Sequence, residues 1–154
     1  MRGGLVAFLF ASFALGSALA DSLPRPNPFA RFADPNGVVL AVETPFVDQG
    51  GSIRVSVYGS EEEFLENALI KTEGELGDDG VAIIPIGALP LGQYAFVAYF
   101  DENDDNRLNR GFVGRPKEPY AFSNGVRPKL SKPDFKDAKL DVGPGSVVVL
   151  SIDD

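Results

Sequence analysis

The sequence contains no cysteine and no histidine. Without cysteine it has no disulfide framework and no residue that could carry a lipid after export, so we expect no membrane anchor of that kind. Zinc, haem, iron–sulfur and copper sites lose their usual ligands. Nucleophilic catalysis of the Ser-His-Asp or Cys-His type is excluded for the same reason. Carboxylates, lysine, tyrosine and hard cations remain available for chemistry.

Basic residues are few compared with acidic ones. The chain has 14 Lys and Arg against 22 Asp and Glu, which gives a formal net charge of −8. Nucleic acids and anionic lipid surfaces attract proteins mainly through Lys and Arg. An acidic chain repels both, so we expect neither a nucleic acid nor an anionic lipid surface as a partner.

The first twenty residues have the pattern of a secretory signal peptide. Arg2 is followed by an apolar run over residues 5–15, and the small-residue pattern Ala18-Leu19-Ala20 precedes Asp21. A membrane-spanning helix is the alternative, but the apolar stretch is shorter than the roughly 18 to 20 residues that a span needs. We therefore predict cleavage after Ala20 and export to the periplasm or the cell exterior.

The mature chain is predicted to consist of a short arm and one domain. Residues 21–36 contain four prolines and no periodic apolar pattern, which indicates an extended N-terminal arm that Phe29 and Phe32 could attach to the body. Residues 37–154 have the length of a single domain.

Alternating and continuous apolar segments predict mainly β-structure. Strands are expected over residues 38–42, 52–58, 81–86, 94–100, 136–142 and 146–152, the last two as a pair around Gly143-Pro144-Gly145. The run over residues 94–100 is apolar throughout and predicts a strand buried on both faces.

One helix is expected over residues 60–70. Ser60 and Glu63 match a capping box, and the apolar residues that would share one face are Phe64, Leu65, Ala68 and Leu69. Together these elements predict an all-β fold, an antiparallel β-sandwich of immunoglobulin-like or prealbumin-like kind with one short helix. A small α+β fold, with the helix covering a sheet face, is the alternative.

A polar loop follows the central strand and has the spacing of a calcium loop. Oxygen-bearing groups recur at alternate positions, with the Arg107 backbone carbonyl among them, and the predicted metal ligands are Asp101, Asn103, Asp105, Arg107 and Asn109. Phe112 stands where an EF-hand has its closing Glu, so a further ligand would come from Glu118 or Asp104. The alternative is an acidic turn whose Asp and Asn side chains only make Asx turns.

The chain resembles a family of exported bacterial proteins, domain of unknown function 2141. The resemblance rests on LPLGQYAFVAYFDENDDNRLN, GRPKEPYAFSN and KPDFKDAKL in this order, and it extends over residues 52–152. It implies export and an immunoglobulin-like sandwich, and it implies no established activity. The family's loop resembles Asp-Glu-Asn-Gly-Asn-Gly-x-Leu-Asp, whereas Asp104, Asn106 and Asn109 replace the two glycines and the last acid here.

Three classes of function are compatible with these features. A non-enzymatic binding module for a protein or glycan of the cell envelope should expose an aromatic patch, for which Tyr120 and Phe122 are the candidates. A structural component of an envelope assembly should instead use an unpaired sheet edge. A glycan hydrolase would need a pair of carboxylates, for which Glu102, Asp104 and Glu118 are available. Because only composition supports the hydrolase, we predict that the protein is not an enzyme.

Overall fold

The computed structural model describes residues 26–112, 114–128 and 131–153. The predicted signal peptide and residues 21–25 of the predicted arm lie outside this part. The strands are β1 (Val38–Glu43), β2 (Ser52–Tyr58), β3 (Ile70–Gly74), β4 (Val81–Gly87), β5 (Gly92–Asp101), β6 (Tyr120–Phe122), β7 (Lys139–Val142) and β8 (Val147–Ser151). The single α-helix of the described residues, α1, spans Phe135–Ala138.

The strands form two sheets, which confirms the predicted β-sandwich. One sheet has the order β4-β1-β8, and the other has the order β3-β2-β5-β6, with β7 also paired to β5. All pairs are antiparallel except β1 with β8, which is parallel.

The main core lies between the two sheets. In β2 the side chains of Ile53, Val55 and Val57 point inward and are buried, while Arg54 and Ser56 face outward, as the alternation predicted. The apolar pattern of the sequence predicts eleven core residues, and nine of them are buried: Ile53, Val55, Val57, Ile84, Phe96, Ala98, Phe100 and Val148 in this core, and Phe135 in a second cluster. Phe64 and Tyr94 are only partly buried.

A second apolar cluster covers part of the outer face of the five-stranded sheet. Ala95 and Val97 of β5 point to this side, where they cluster with Phe122, Phe135 and Ala138. The central strand β5 is therefore buried on both faces, as its continuous apolar sequence predicted.

The predicted helix over residues 60–70 is wrong. The segment forms successive turns, Leu65 has a left-handed backbone with φ of 64°, and Ile70 already begins β3. A right-handed helix cannot continue through a left-handed residue, so the capping pattern starts a turn and no helix follows. The apolar residues still cover the sheet, because Phe64, Leu65 and Ala68 pack against the second cluster.

The end of the chain also differs from the prediction. Phe135–Ala138 is helical where a strand was expected, and β7 and β8 lie in different sheets, so they do not pair with each other. The Gly143-Pro144-Gly145 turn therefore carries the chain from one sheet to the other. Strands β3 and β6 were not predicted, since neither has a distinct apolar alternation.

The described part of the predicted arm lies against the domain. Phe29 is buried, its ring stacks on Phe32 at 6.5 Å, and the Asn27 amide donates to the Val147 carbonyl at 3.0 Å. Within the described residues, no helix has both the length and the apolar character required to cross a membrane.

Candidate functional site

The candidate loop leaves the end of β5 and returns to β6 by way of a small hairpin. β5 ends at Asp101, residues 102–109 form the loop, and an antiparallel bridge joins Arg110 to Pro116. The Lys117 amide donates to the Asn109 carbonyl at 2.8 Å, which brings Glu118 back beside the loop. The Phe100 amide donates to the Pro119 carbonyl at 2.9 Å, so a backbone hydrogen bond also holds the two ends of residues 101–118 together.

Asp101 organises the start of the loop from a fully buried position. Its Oδ1 accepts a hydrogen bond from the Asp105 amide at 3.2 Å, and its Oδ2 accepts one from the Asn106 amide at 2.9 Å. Arg54 of the neighbouring strand β2 donates from Nε to the same Oδ2 at 3.1 Å. A buried carboxylate needs such partners, because burial without them would be very costly.

The side chains of Asn103, Asp105 and Asn109 converge on one another. Asp105 Oδ2 accepts from Asn103 Nδ2 at 3.2 Å and from Asn109 Nδ2 at 3.0 Å. Asp105 Oδ1 accepts from the Arg107 amide at 2.8 Å, and Asn103 Oδ1 accepts from the Asp105 amide at 3.3 Å. The last two bonds are the Asx turns expected for such a loop, and they bring the predicted ligands together.

Glu118 completes this arrangement from outside the loop. Its carboxylate is buried. Oε2 accepts a hydrogen bond from the backbone amide of Asn109 at 2.7 Å, and Oε1 lies 3.4 Å from the side-chain nitrogen Asn109 Nδ2. The Arg107 carbonyl oxygen is also 3.4 Å from that Nδ2. Three oxygens, from Asp105, Arg107 and Glu118, therefore surround one amide nitrogen.

Two residues of the loop adopt left-handed backbone. Asp104 has φ of 53° and Asn106 has φ of 64°, and these positions correspond to the two glycines in the loop that the chain resembles. Asp and Asn tolerate this conformation better than other non-glycine residues. The loop therefore keeps a glycine-type backbone without glycine.

The predicted ligands do not all share one centre. Asn103, Asp105, Asn109 and the Arg107 carbonyl are neighbours, whereas the Asp101 carboxylate is taken up by backbone amides and Arg54. Asp104 turns toward β2 and accepts from the Ser52 hydroxyl at 2.7 Å. Among residues 26–112, 114–128 and 131–153, no three Asp, Glu, Cys or His side chains form a group that could hold a metal ion. An ion here would depend on amide and carbonyl oxygens as well as carboxylates.

Arg54 is the residue of this region that the sequence reasoning missed. Besides Asp101, it forms an ion pair with Glu73 of β3, and its Nη2 lies 3.9 Å from Asp104. The alternation of β2 indicated only that Arg54 faces outward. Its partners depend on the register that sets Ser52 opposite Asp101 and Arg54 opposite Tyr99, which one sequence does not reveal.

The local electrostatics follow from these contacts. The hydrogen bond from Asn109, together with those from the Arg107 amide and Asn103, lowers the pKa of Asp105. Burial and the nearby Asp101 carboxylate raise the pKa of Tyr99, which lies beside Arg54. Asp105 therefore stays ionised at neutral pH and can accept both amides or a cation.

The aromatic residues proposed as an exposed patch lie mostly inside. Phe122 is buried in the second cluster, and Tyr120 is partly buried and packs edge-on against it with ring centroids 5.6 Å apart. They line one wall of a groove of about 620 Å³ that runs to Val149 and Ser151 of β8. The predicted aromatic patch is therefore a groove wall.

A comparison with sequence models of protein families shows which family the chain belongs to. The sequence model described as an uncharacterised protein conserved in bacteria, DUF2141, matches residues 44–149. The chain belongs to the DUF2141 family. This match includes β2 to β7 and the whole candidate loop, so the resemblance inferred from the loop motifs is confirmed. Neither the curated proteins nor the solved structures contain a significant match.

Proposed function

We propose that this DUF2141 protein is an exported, non-enzymatic binding module whose loop at residues 101–109, together with Glu118, binds calcium. The observation that supports the ion site is the group of three oxygens around the side-chain amide nitrogen of Asn109. Asn109 Nδ2 lies 3.0 Å from Asp105 Oδ2 and 3.4 Å from both the Arg107 carbonyl and Glu118 Oε1. Calcium prefers such mixed sets of carboxylate, amide and carbonyl oxygens.

The Asn109 side-chain amide group and a calcium ion can each act as the partner of these oxygens. Nδ2 carries partial positive charge, so it satisfies the same acceptors that a cation would satisfy. Rotating the Asn109 side-chain amide by half a turn exchanges Nδ2 for Oδ1 and adds an oxygen to the set. Glu118 supplies the second carboxylate beside Asp105. In this arrangement Asp101 orients the loop through its backbone amides, and binding does not require it to leave Arg54.

Magnesium should compete poorly at this site. It demands a small octahedral shell and gives up its waters reluctantly, whereas the flexible side chains of the loop suit the longer bonds of calcium. With two carboxylates and no closing bidentate Glu, we expect a dissociation constant of ~0.1 to 1 mM, the range of extracellular modules.

Melting the protein with calcium and with a chelator tests the ion site. Calcium at ~100 times its dissociation constant should stabilise the folded state by about 2.7 kcal/mol, because the ion binds only the folded chain. Glu118→Gln and Asp105→Asn should each remove most of that increment. Asp78→Asn, at an exposed position of the Gly77–Gly80 turn, is the matched control and should keep it. Equal melting temperatures of the wild type with calcium and with chelator would show that the loop is only an acidic turn.

Export is supported by the signal-peptide pattern at residues 1–20. N-terminal mass mapping of the secreted protein should give a chain that begins at Asp21, and a mature chain that begins at Met1 would contradict export by cleavage. The non-enzymatic assignment is supported by the contacts of the available carboxylates. Glu118 is bonded to Asn109, and Asp104 is bonded to Ser52, so both belong to the loop structure.

A role as a structural component of an envelope assembly is the second candidate, and the edge strand β8 favours it. The edge strand β4 contains Pro85, and the edge strand β3 carries Lys71 and Glu73, which discourage strand addition. β8 has the uncharged sequence VVVLS. The even-numbered residues of β8 form the backbone hydrogen bonds to β1. The backbone N–H and C=O groups of Val149 and Ser151 therefore point outward, away from β1. An assembly that uses this edge should be lost in Val149→Lys, as judged by crosslinking in intact cells.

A further inference from the structure

Positive charge is concentrated in one short segment of this acidic protein. Residues 107–117, RLNRGFVGRPK, contain four of the 14 Lys and Arg residues and no acidic residue. We call this segment the basic hairpin; its cations are Arg107, Arg110, Arg115 and Lys117. It overlaps the end of the candidate loop, whose acidic residues all precede Arg107, so the charge changes sign along the chain within a few residues.

The described residues of this segment, which exclude Val113, form a hairpin with an apolar residue in its turn. The Gly111 amide donates to the Arg115 carbonyl at 2.7 Å, and the Arg110 guanidinium donates to the Gly114 carbonyl at 3.1 Å. Phe112 lies in this turn and is fully exposed, more so than any other large apolar residue of the described chain. Burial of Phe112 would remove apolar surface from water, and none of the described residues provides that burial.

The four cations of the basic hairpin are all exposed. Within the described residues, none of them has a carboxylate oxygen within 4.0 Å of its charged nitrogens. Of the acidic groups beside the hairpin, Asp101 is paired with Arg54 and Glu118 accepts from Asn109, whereas Glu102, Asp104 and Asp105 are exposed. The positive charge of the basic hairpin is therefore available to a partner outside the chain.

We propose that the basic hairpin docks on an anionic lipid bilayer, with Phe112 inserted at the level of the headgroups and the cations close to the lipid phosphates. Interfacial segments bury apolar side chains such as Phe at the boundary between headgroups and acyl chains, and each Lys or Arg near an anionic surface adds about 1 kcal/mol of attraction. The combination of an exposed aromatic residue and flanking cations matches such a surface in both charge and polarity. This inference goes beyond the proposed ion site and does not depend on it.

The acidic net charge does not oppose this docking as strongly as the whole-chain count suggests. Charges separated by more than a Debye length, about 8 Å at physiological ionic strength, are largely screened in water. A surface in contact with the hairpin turn therefore experiences mainly the charges nearest to it, which are the cations of the basic hairpin and the acidic side chains of the adjoining loop, and not the net charge of the whole chain. Docking of this kind should weaken as salt concentration rises.

The test is cosedimentation of the protein with vesicles in the presence of a chelator, so that a failed calcium site does not affect the result. Vesicles of phosphatidylglycerol and phosphatidylethanolamine should bind the protein at low salt, and phosphatidylcholine vesicles should not. Phe112→Ser should weaken binding about tenfold, the effect of losing a buried aromatic side chain. Arg115→Gln and Lys117→Gln should each weaken it about fivefold.

Matched variants separate the hairpin from the general surface. Leu91→Ser removes another highly exposed apolar residue, and Lys71→Gln removes an exposed cation on β3; neither should change vesicle binding. No binding to anionic vesicles at low salt would overturn the proposal. Binding that Phe112→Ser leaves unchanged, or that Leu91→Ser and Lys71→Gln weaken equally, would overturn it too, because the hairpin would then not be the contact.

Discussion

The contact between Asp101 and Arg54 provides the sharpest test of how the loop is built. Asp101 is fully buried and accepts three hydrogen bonds, from the amides of Asp105 and Asn106 and from Arg54 Nε. Asp101→Asn keeps the size of the side chain but replaces one acceptor oxygen with an NH2 group. At least one of the three donors then faces another donor, and the positive charge of Arg54 loses its buried partner.

The expected cost is large for so small a change. Hydrogen bonds to charged groups contribute about 1.5 to 3 kcal/mol each, and removal of one member of a buried ion pair costs about 3 to 5 kcal/mol. We therefore expect Asp101→Asn to lower the free energy of unfolding by about 3 to 5 kcal/mol. Urea unfolding at neutral pH with chelator present measures this without any contribution from an ion.

A double-mutant cycle shows whether the pair itself is responsible. Arg54→Met keeps the apolar stem and removes the cation, so the double variant no longer holds an Arg54 charge that lacks its buried carboxylate. Its loss should be smaller than the sum of the two single losses, with a coupling energy within the ~0.5 to 3 kcal/mol seen for contacting residues. Asp78→Asn, an exposed acid in another turn, should change stability by less than ~0.5 kcal/mol. A loss below ~1 kcal/mol for Asp101→Asn would refute the assignment of Asp101 as the organiser of the loop.

Two further predictions concern the core and the pH response. Phe96→Ala removes a fully buried ring between the sheets and should cost about 3 to 5 kcal/mol in urea unfolding; a loss below ~1 kcal/mol would place Phe96 outside the core. The pKa of Asp105 is lowered in the folded state, so its contribution to stability is present above its unfolded pKa of ~3.9 and is lost as pH falls through the folded value. Wild type should therefore lose more stability than Asp105→Asn on acidification below that pH, and parallel pH profiles of the two proteins would contradict this.

The strands that the sequence predicted correctly are those in which the apolar residues coincide with the buried positions. In β2 the alternation of Ile53, Val55 and Val57 with polar residues reflects one buried and one wet face. In β5 the continuous apolar run reflects packing against both the other sheet and the second cluster. β3 was missed because its sequence, IKTEG, has little apolar character, and it is defined by its pairing with β2.

The helix prediction failed for a reason that local sequence does not contain. The pattern at Ser60 and Glu63 does start a turn, but Leu65 adopts a left-handed backbone that lets Phe64 and Leu65 both reach the sheet. Packing against Tyr58 and Phe135, whose rings lie 5.3 and 5.7 Å from that of Phe64, outweighs the modest helical propensity of this short segment. A tertiary contact of this kind overrides propensity and cannot be read from neighbouring residues alone.

The loop shows the same division between local and long-range information. The backbone geometry was foreseeable, because Asp104 and Asn106 occupy positions at which the related loops have glycine, and both are left-handed here. The place of Glu118 was foreseeable only as a candidate in sequence. Its buried contact with Asn109 requires the hairpin at residues 110–116 to return the chain. Arg54 was not foreseeable at all, since it arrives from a strand that is distant in sequence.

The basic hairpin shows why total charge is a poor guide to a surface. The whole-chain value of −8 averages an acidic stretch with an adjacent stretch of opposite sign, although these two stretches would present different faces to a partner. A local count would have found it, because eleven consecutive residues that carry four cations and no acid stand out in a chain with more acidic than basic residues. What the count could not supply is the exposure of Phe112. That exposure is a property of the folded hairpin, and the proposed insertion into a bilayer depends on it.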